Sequence, residues 1–162
     1  MKHILSVLVN NSSGVLSHVA SLFTRRGYNI ESLSVAETHM TERSVITMVV
    51  DEDDKMVRQI EKQLYKLVDV VKIEDLTNID SIERELVLAT IQCERSKRDE
   101  ILSLINAFQA HIRDMSDTAI IVEMTANPRQ IQSFIKTISE YGILKIARSG
   151  SIALPALSTE NS

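Results

Sequence analysis

ILSVLVNNSSGVLSHVASLFTRRGYNIESLSV, running from Ile4 to Val35, is the stretch whose reading decides the fold. His3–Val9 is a short apolar run rich in Val and Ile, the pattern of a strand. Asn10–Gly14 interrupts it with polar and turn-forming residues. Val15, Leu16, Val19, Leu22 and Phe23 then recur at helical spacing, so one stripe of a helix is apolar. Gly27 stands where a left-handed residue would end that helix. Ile30–Glu37 alternates, with Leu33 and Val35 among serines, and predicts a second strand.

Working outward, Ser44–Val50 predicts a third strand, and Asp51–Asp54 a polar turn that sets acids at the start of the next helix, where its dipole favours them. Met56, Val57, Ile60, Leu64 and Leu67 mark that helix's buried face, and Val68–Leu76 closes the unit as a strand. The order is βαββαβ. After the polar connection Thr77–Ser81 the order returns. Leu86–Cys93 is a strand, Ile101, Leu104, Ile105 and Phe108 stripe a helix, and Ala110–Met115 with Ala119–Thr125 form a strand pair. Asn127 suits an N-cap and Pro128 the first helical position. Ile131, Phe134, Ile135, Ile138 and Tyr141 line the next helix up to Gly142, and Ile143–Ala147 is the last strand.

The expected fold is therefore α+β, two ferredoxin-like βαββαβ sandwiches in tandem, each a four-stranded antiparallel sheet with two helices on one face. Six elements in this order have other packings open to them, but the same order twice makes a chance match improbable. The expected division is residues 1–76 and 82–150 as domains, 77–81 as linker, and 151–162, with Pro155 and a polar end, as a loose tail. Units this small bury only part of their surface, and pairing of sheets between units or chains is the natural remedy. A homodimer is expected.

Composition narrows the function. Hydrophobic residues make up 44% and charged residues 25% of the 162, the balance of a globular protein, with a net charge of −4. No Lys/Arg block offers a footprint for a phosphate backbone, so nucleic acid is not an expected partner. No apolar run approaches the length that spans a bilayer, and MKHILSVLV is too short and lacks a cleavage site for a signal peptide. With Cys93 as the only cysteine, no intrachain disulfide forms, and a cytoplasmic location is expected.

The two copies differ at one place. The first strand–helix loop reads Asn10-Asn11-Ser12-Ser13-Gly14, and its counterpart Glu94-Arg95-Ser96-Lys97-Arg98 has no glycine and is heavily charged. Exposed backbone N–H groups at a helix N-terminus suit a carboxylate, Gly14 lets a ligand approach the backbone, and the Asn11 amide both donates and accepts. Read by pattern alone, the same cluster is also an ordinary turn.

The stretch resembles the N-terminal signature of the acetolactate synthase (acetohydroxyacid synthase) small regulatory subunit family. That family writes a strand, then N-x-x-G-[AV]-L, a helix and R-R-G-[YF]-N-I-E-S-L. Here these are Asn11-Ser12-Ser13-Gly14-Val15-Leu16 and Arg25-Arg26-Gly27-Tyr28-Asn29-Ile30-Glu31-Ser32-Leu33. Ile60–Val70, Glu83-Arg84-Glu85-Leu86 and Ala147-Arg148-Ser149-Gly150 also match. The short length is similar to the bacterial form. The resemblance implies tandem ACT domains, no catalysis by this chain alone, and a large catalytic partner subunit that carries thiamine diphosphate, Mg and FAD. It further implies activation of that partner and feedback inhibition by valine in branched-chain amino acid biosynthesis. Valine would sit between Asn11, Gly14, Val15 and Leu16 of one chain and Asn29 and Ile30 of its dimer mate. Many relatives carry an acid where this chain has Asn10, which bears on binding strength more than on location.

Other residues point nowhere comparable. His3, His18, His39 and His111 are scattered without ligand spacing, so no metal site is expected. Asp51–Asp54 lacks the glycine and distant Glu of a calcium loop. Cys93 reads as a small packed hydrophobe. Arg25 and Arg26 suit a helix C-terminus and equally suit a partner protein. Two rivals stand beside the regulatory reading: a free-standing tandem ACT sensor acting on another enzyme or a transcription system, and a small ferredoxin-like catalyst using Cys93 or a histidine.

Overall fold

A computed structural model of the chain describes residues 1–160 and divides it into two units, Met1–Ile82 with Ser151 onward, and Glu83–Gly150. The first unit contains β1 (Lys2–Asn10), α1 (Val15–Arg26), β2 (Ile30–Glu37), β3 (Arg43–Asp51), α2 (Asp54–Leu64) and β4 (Val70–Asp75). Its antiparallel sheet runs β2-β3-β1-β4, the ferredoxin-like order. Leu5, Val7 and Val9 of β1 and Ile46, Met48 and Val50 of β3 share the face that receives the helices. Val15, Val19, Leu22 and Phe23 of α1 and Val57, Ile60 and Leu64 of α2 close the core over them, and Tyr28 meets Phe23 edge-on at 5.7 Å.

The helix ends follow from the local sequence. Gly27 takes φ +69° and its N–H reaches the Phe23 and Thr24 carbonyls, stopping α1 as expected. Asp53 caps α2, its side chain accepting from the Met56 N–H at 2.7 Å. The expected turn of acids therefore includes the cap itself.

The second unit repeats the design with β5 (Ser81–Gln92, its first residues shared with the first unit), α3 (Arg98–Ala107), β6 (His111–Met115), β7 (Ala119–Ala126), α4 (Pro128–Ser139) and β8 (Ile143–Arg148). Its path is β6-β7-β5-β8. Ile91, Val122, Ile101, Ile105, Ile131, Phe134 and Ile138 fill its core, and Cys93 is buried among them. Asn127 and Gln130 form a capping box ahead of Pro128. The matched motifs Glu83–Leu86 and Ala147–Gly150 here find a structural meaning. Glu85 is buried, and Arg148 grips it through two hydrogen bonds, Nε to Oε1 at 2.6 Å and Nη2 to Oε2 at 3.1 Å. That pairing raises the Arg148 guanidinium pKa.

The C-terminal segment departs from the expectation of a loose tail. Ile152–Pro155 forms a strand, β9, which pairs with β5, and Leu157–Glu160 forms a short helical turn, α5. Within the first unit the Ser151 N–H donates to Ser32 Oγ at 3.2 Å and the Ala156 N–H to the Asp80 carbonyl at 2.8 Å. Ile152 and Leu154 alternate, but Pro155 and the polar end mask the signal, and a lone strand without its partner has no reason to form. Residues 161 and 162 of the expected tail lie outside the described residues.

Candidate functional site

The loop after β1 is built by contacts from far along the chain. Asn11 donates its backbone N–H to the Glu42 carbonyl and Nδ2 to the Thr41 carbonyl, each at 2.9 Å. The Asn10 N–H donates to the Asp69 carbonyl at 2.8 Å, and Arg43 Nη1 donates to Asn10 Oδ1. Ser12 Oγ donates to Asp69 Oδ1 at 3.0 Å. These fasten the loop to the start of β3 and the entry to β4, while Asn11 and Gly14 stay exposed.

Gly14 is the N-cap of α1 with φ +86°, a conformation that favours glycine, and no side chain caps the helix. A Cβ there would meet only His18 Cε1, at 4.0 Å, so the side facing the loop is open. The first turn of α1 carries no acid, so the positive end of its dipole has no charged partner of its own. Val15 is buried in the core, whereas Leu16 is 44% exposed beside the loop.

α3 begins differently. A 3-10 turn, Arg95–Lys97, leads into it, and Asp99 and Glu100 stand in its first turn. The Tyr141 hydroxyl donates to Glu100 at 2.6 Å, and this bond, with nearby Lys97, holds the Glu100 carboxyl below its ordinary value. The dipole of α3 thus already has carboxylates. The contrast expected between the two loops extends to the helices behind them.

Asn29 and Ile30 are not beside Asn11 in the same chain. Ile30 pairs with Val50, whereas Asn10 pairs with Arg43 at the opposite end of β3. Seven residues of strand at about 3.3 Å each separate those ends by roughly 23 Å. Within one chain the six candidate residues therefore fall into two groups: Asn11, Gly14, Val15 and Leu16 at one end of the sheet, Asn29 and Ile30 at the other. Asn29 is exposed, and Ile30 packs partly on the core.

β2 is an edge strand. Its Leu33 and Val35 pair with the fully buried Met48 and Ile46, on the face that carries α1, yet remain 38% and 43% exposed. An apolar edge of this kind invites another strand.

Sequence reasoning passed over Thr41, Glu42, Arg43 and Asp69 as supports of the loop, because no local pattern announces a contact across thirty or more positions. It also left His3 among scattered histidines. His3 is buried, with Nδ1 3.3 Å from both Asp75 Oδ2 and Thr77 Oγ1 and Nε2 3.2 Å from Asp54. The Thr77 hydroxyl in turn accepts the Ile4 N–H at 3.1 Å, so the cluster fastens the end of β4 to β1. Among the described residues no cluster of His, Cys, Asp or Glu is arranged to hold a metal ion, and no helix is long and apolar enough to cross a membrane.

Residues 5–72 match the family described as the AHAS small subunit-like ACT domain, and residues 84–156 that described as the small subunit of acetolactate synthase. A probable acetolactate synthase small subunit of Archaeoglobus fulgidus is 45% identical over 95% of this chain and 96% of its own. The small subunit of Mycobacterium bovis is 41% identical over 94% and 90%. A crystal structure of the Thermotoga maritima small subunit aligns with a TM-score of 0.89 at 36% identity, over 96% of this chain and 98% of that one. With both halves matched and relatives this similar along almost the whole length, the chain belongs to the acetolactate synthase small-subunit family, and its two sandwiches are tandem ACT domains.

Proposed function

We propose that this chain is a regulatory subunit that binds the large catalytic subunit of acetolactate synthase, raises its activity and conveys feedback inhibition by valine. The observation that carries this reading is the open N-terminus of α1, an uncapped left-handed Gly14 with no acid in the first turn. The effector's carboxylate would accept from backbone N–H groups at Gly14–Leu16. Asn11, whose Nδ2 is already spent on Thr41, keeps Oδ1 for the ammonium. Leu16 and Ile30 would pack the branched side chain.

Two copies are needed to complete the site. Antiparallel pairing of β2 with β2 of a second chain sets the second chain's strand start beside the Glu37 end of the first. Glu37 pairs with Ser44, next to Arg43 and Asn10. The second chain's Asn29 and Ile30 then approach the first chain's glycine loop, and the symmetry gives two such sites per dimer. The exposed Leu33 and Val35 favour that pairing. Valine, held by both chains, would favour one arrangement of the pair, which is the differential affinity that allosteric inhibition requires. Acetolactate formation, with its thiamine diphosphate, Mg and FAD, belongs to the partner.

The test adds the chain to its cognate large subunit and assays acetolactate formation with and without valine, alongside calorimetry of the isolated chain with valine, leucine and isoleucine. Activation, valine inhibition and saturable binding are expected. A chain that neither activates nor responds to valine is not this regulator.

A further inference from the structure

The helix layer of the first unit carries a groove whose larger part is lined by none of the candidate effector residues. A cavity of about 480 Å³ lies between the C-terminal ends of α1 and α2, lined by Leu22, Arg25, Arg26, Gln63, Lys66 and Leu67. A second hollow of about 330 Å³ shares Lys66 and Leu67 with it and runs from there to Val15, His18 and Asp69, at the foot of the glycine loop. Apolar Leu22 and Leu67 form the floor, and three cations ring it.

The charge is out of keeping with the rest of the chain. Acidic residues outnumber basic ones, 22 to 18, yet the larger cavity's lining contains no carboxylate. Among the described residues none of the three cations is ion-paired. Arg25 spends only Nε, on the Ser21 carbonyl at 3.4 Å, and Arg26 spends Nη2 on Gln63 at 3.1 Å. Most of their N–H donors remain free for a carboxylate, which guanidinium groups grip in bidentate fashion. The helix dipole explains a cation at the end of α1. The dipole of α2 likewise suits Lys66 just past its end, but neither dipole accounts for the three cations lining one hollow. The second unit has no counterpart: α3 ends Asn106-Ala107-Phe108, and α4 ends Ser139-Glu140.

We propose that this groove docks the large catalytic subunit, receiving a segment that carries carboxylates on either side of an apolar side chain. Arginine around an apolar centre is the composition of an interface hot spot, and the charge selects an acidic occupant. This inference rests on the regulatory reading above and names the surface through which it acts.

The experiment measures binding of the cognate large subunit to the full-length chain, and its activation, for wild type, the charge-reversed pair Arg25→Glu/Lys66→Glu and the milder pair Arg25→Gln/Lys66→Gln. Valine binding to each isolated chain is followed by calorimetry as a control for fold and effector site. Reversal is expected to weaken subunit binding by about a hundredfold and neutralisation by about tenfold, with wild-type affinity falling as salt rises. Valine binding should stay within about twofold of wild type, because the glycine loop is untouched. If wild type itself neither binds nor activates, the regulatory reading falls. If wild type does both and the neutralised pair binds equally well, the groove is overturned while that reading stands.

Discussion

The two ACT units share an order of elements and a packing scheme but part company where the first helix begins. α1 opens on an uncapped left-handed glycine with no acid in its first turn, and α3 follows a charged 3-10 turn and has two carboxylates in its first turn. One helix end is left unsatisfied, and the other has been satisfied from within. The lesson is that duplication supplied two equivalent scaffolds, and a few loop residues decide which of them has a place for an anion. Among the described residues, the second unit alone carries a buried carboxylate gripped by arginine.

The comparison is open to attack at several points. The largest effect is expected from Gly14→Asp, which puts a carboxylate where the effector's should lie. The valine concentration for half-inhibition should rise about a hundredfold, near 2.7 kcal/mol, while the equivalent substitution at the N-cap of α3, Lys97→Asp, leaves inhibition unchanged. Retained inhibition in Gly14→Asp would show that the first loop is not the anion site. Next comes Arg148→Met, which strands Glu85 in the interior. Unfolding of the second unit should become about 2 kcal/mol easier, and amide exchange should quicken there and not in the first unit.

A smaller effect tests the shared site. Asn29→Ala should weaken valine binding about tenfold, near 1.4 kcal/mol. Mixing it with Asn11→Ala should restore one intact site in each mixed dimer, because one chain then supplies Asn11 and its mate Asn29. Stoichiometry by calorimetry reads this directly, and no recovery on mixing would place both residues in a single-chain site. The smallest effect concerns Glu61, whose carboxyl is raised by burial and then by nearby Asp75. A raised carboxylate favours the fold below its ordinary value and loses that contribution as pH climbs through the raised one. Glu61→Gln should therefore stabilise the first unit at neutral pH, by about a few tenths of a kcal/mol after solvent screening, and the gain should vanish in acid. Thermal melts across that range check the sign.

Much of this was legible in the residues. The stripe Val15–Phe23, the stop at Gly27 and the Asn127-Pro128 start are local signals borne out in place, whereas α2 ends at Leu64, short of the expected Leu67, and β5 begins at Ser81, ahead of the expected Leu86. The strand at Ile152–Pro155 was not legible, because its stability comes from β5, far upstream in the chain. The support of the glycine loop by Thr41, Glu42 and Asp69 was hidden for the same reason.

By itself the sequence determined the tandem βαββαβ order and singled out the glycine loop of the first copy, since periodicity, caps and turns are carried by neighbours in the chain. Only the tertiary structure decided which ends of the sheet those residues occupy, that Glu85 meets Arg148, and that Arg25, Arg26 and Lys66 surround one hollow. Strand register and helix packing join residues tens of positions apart, and those pairings arise from burial of the whole core, which no local window of sequence contains.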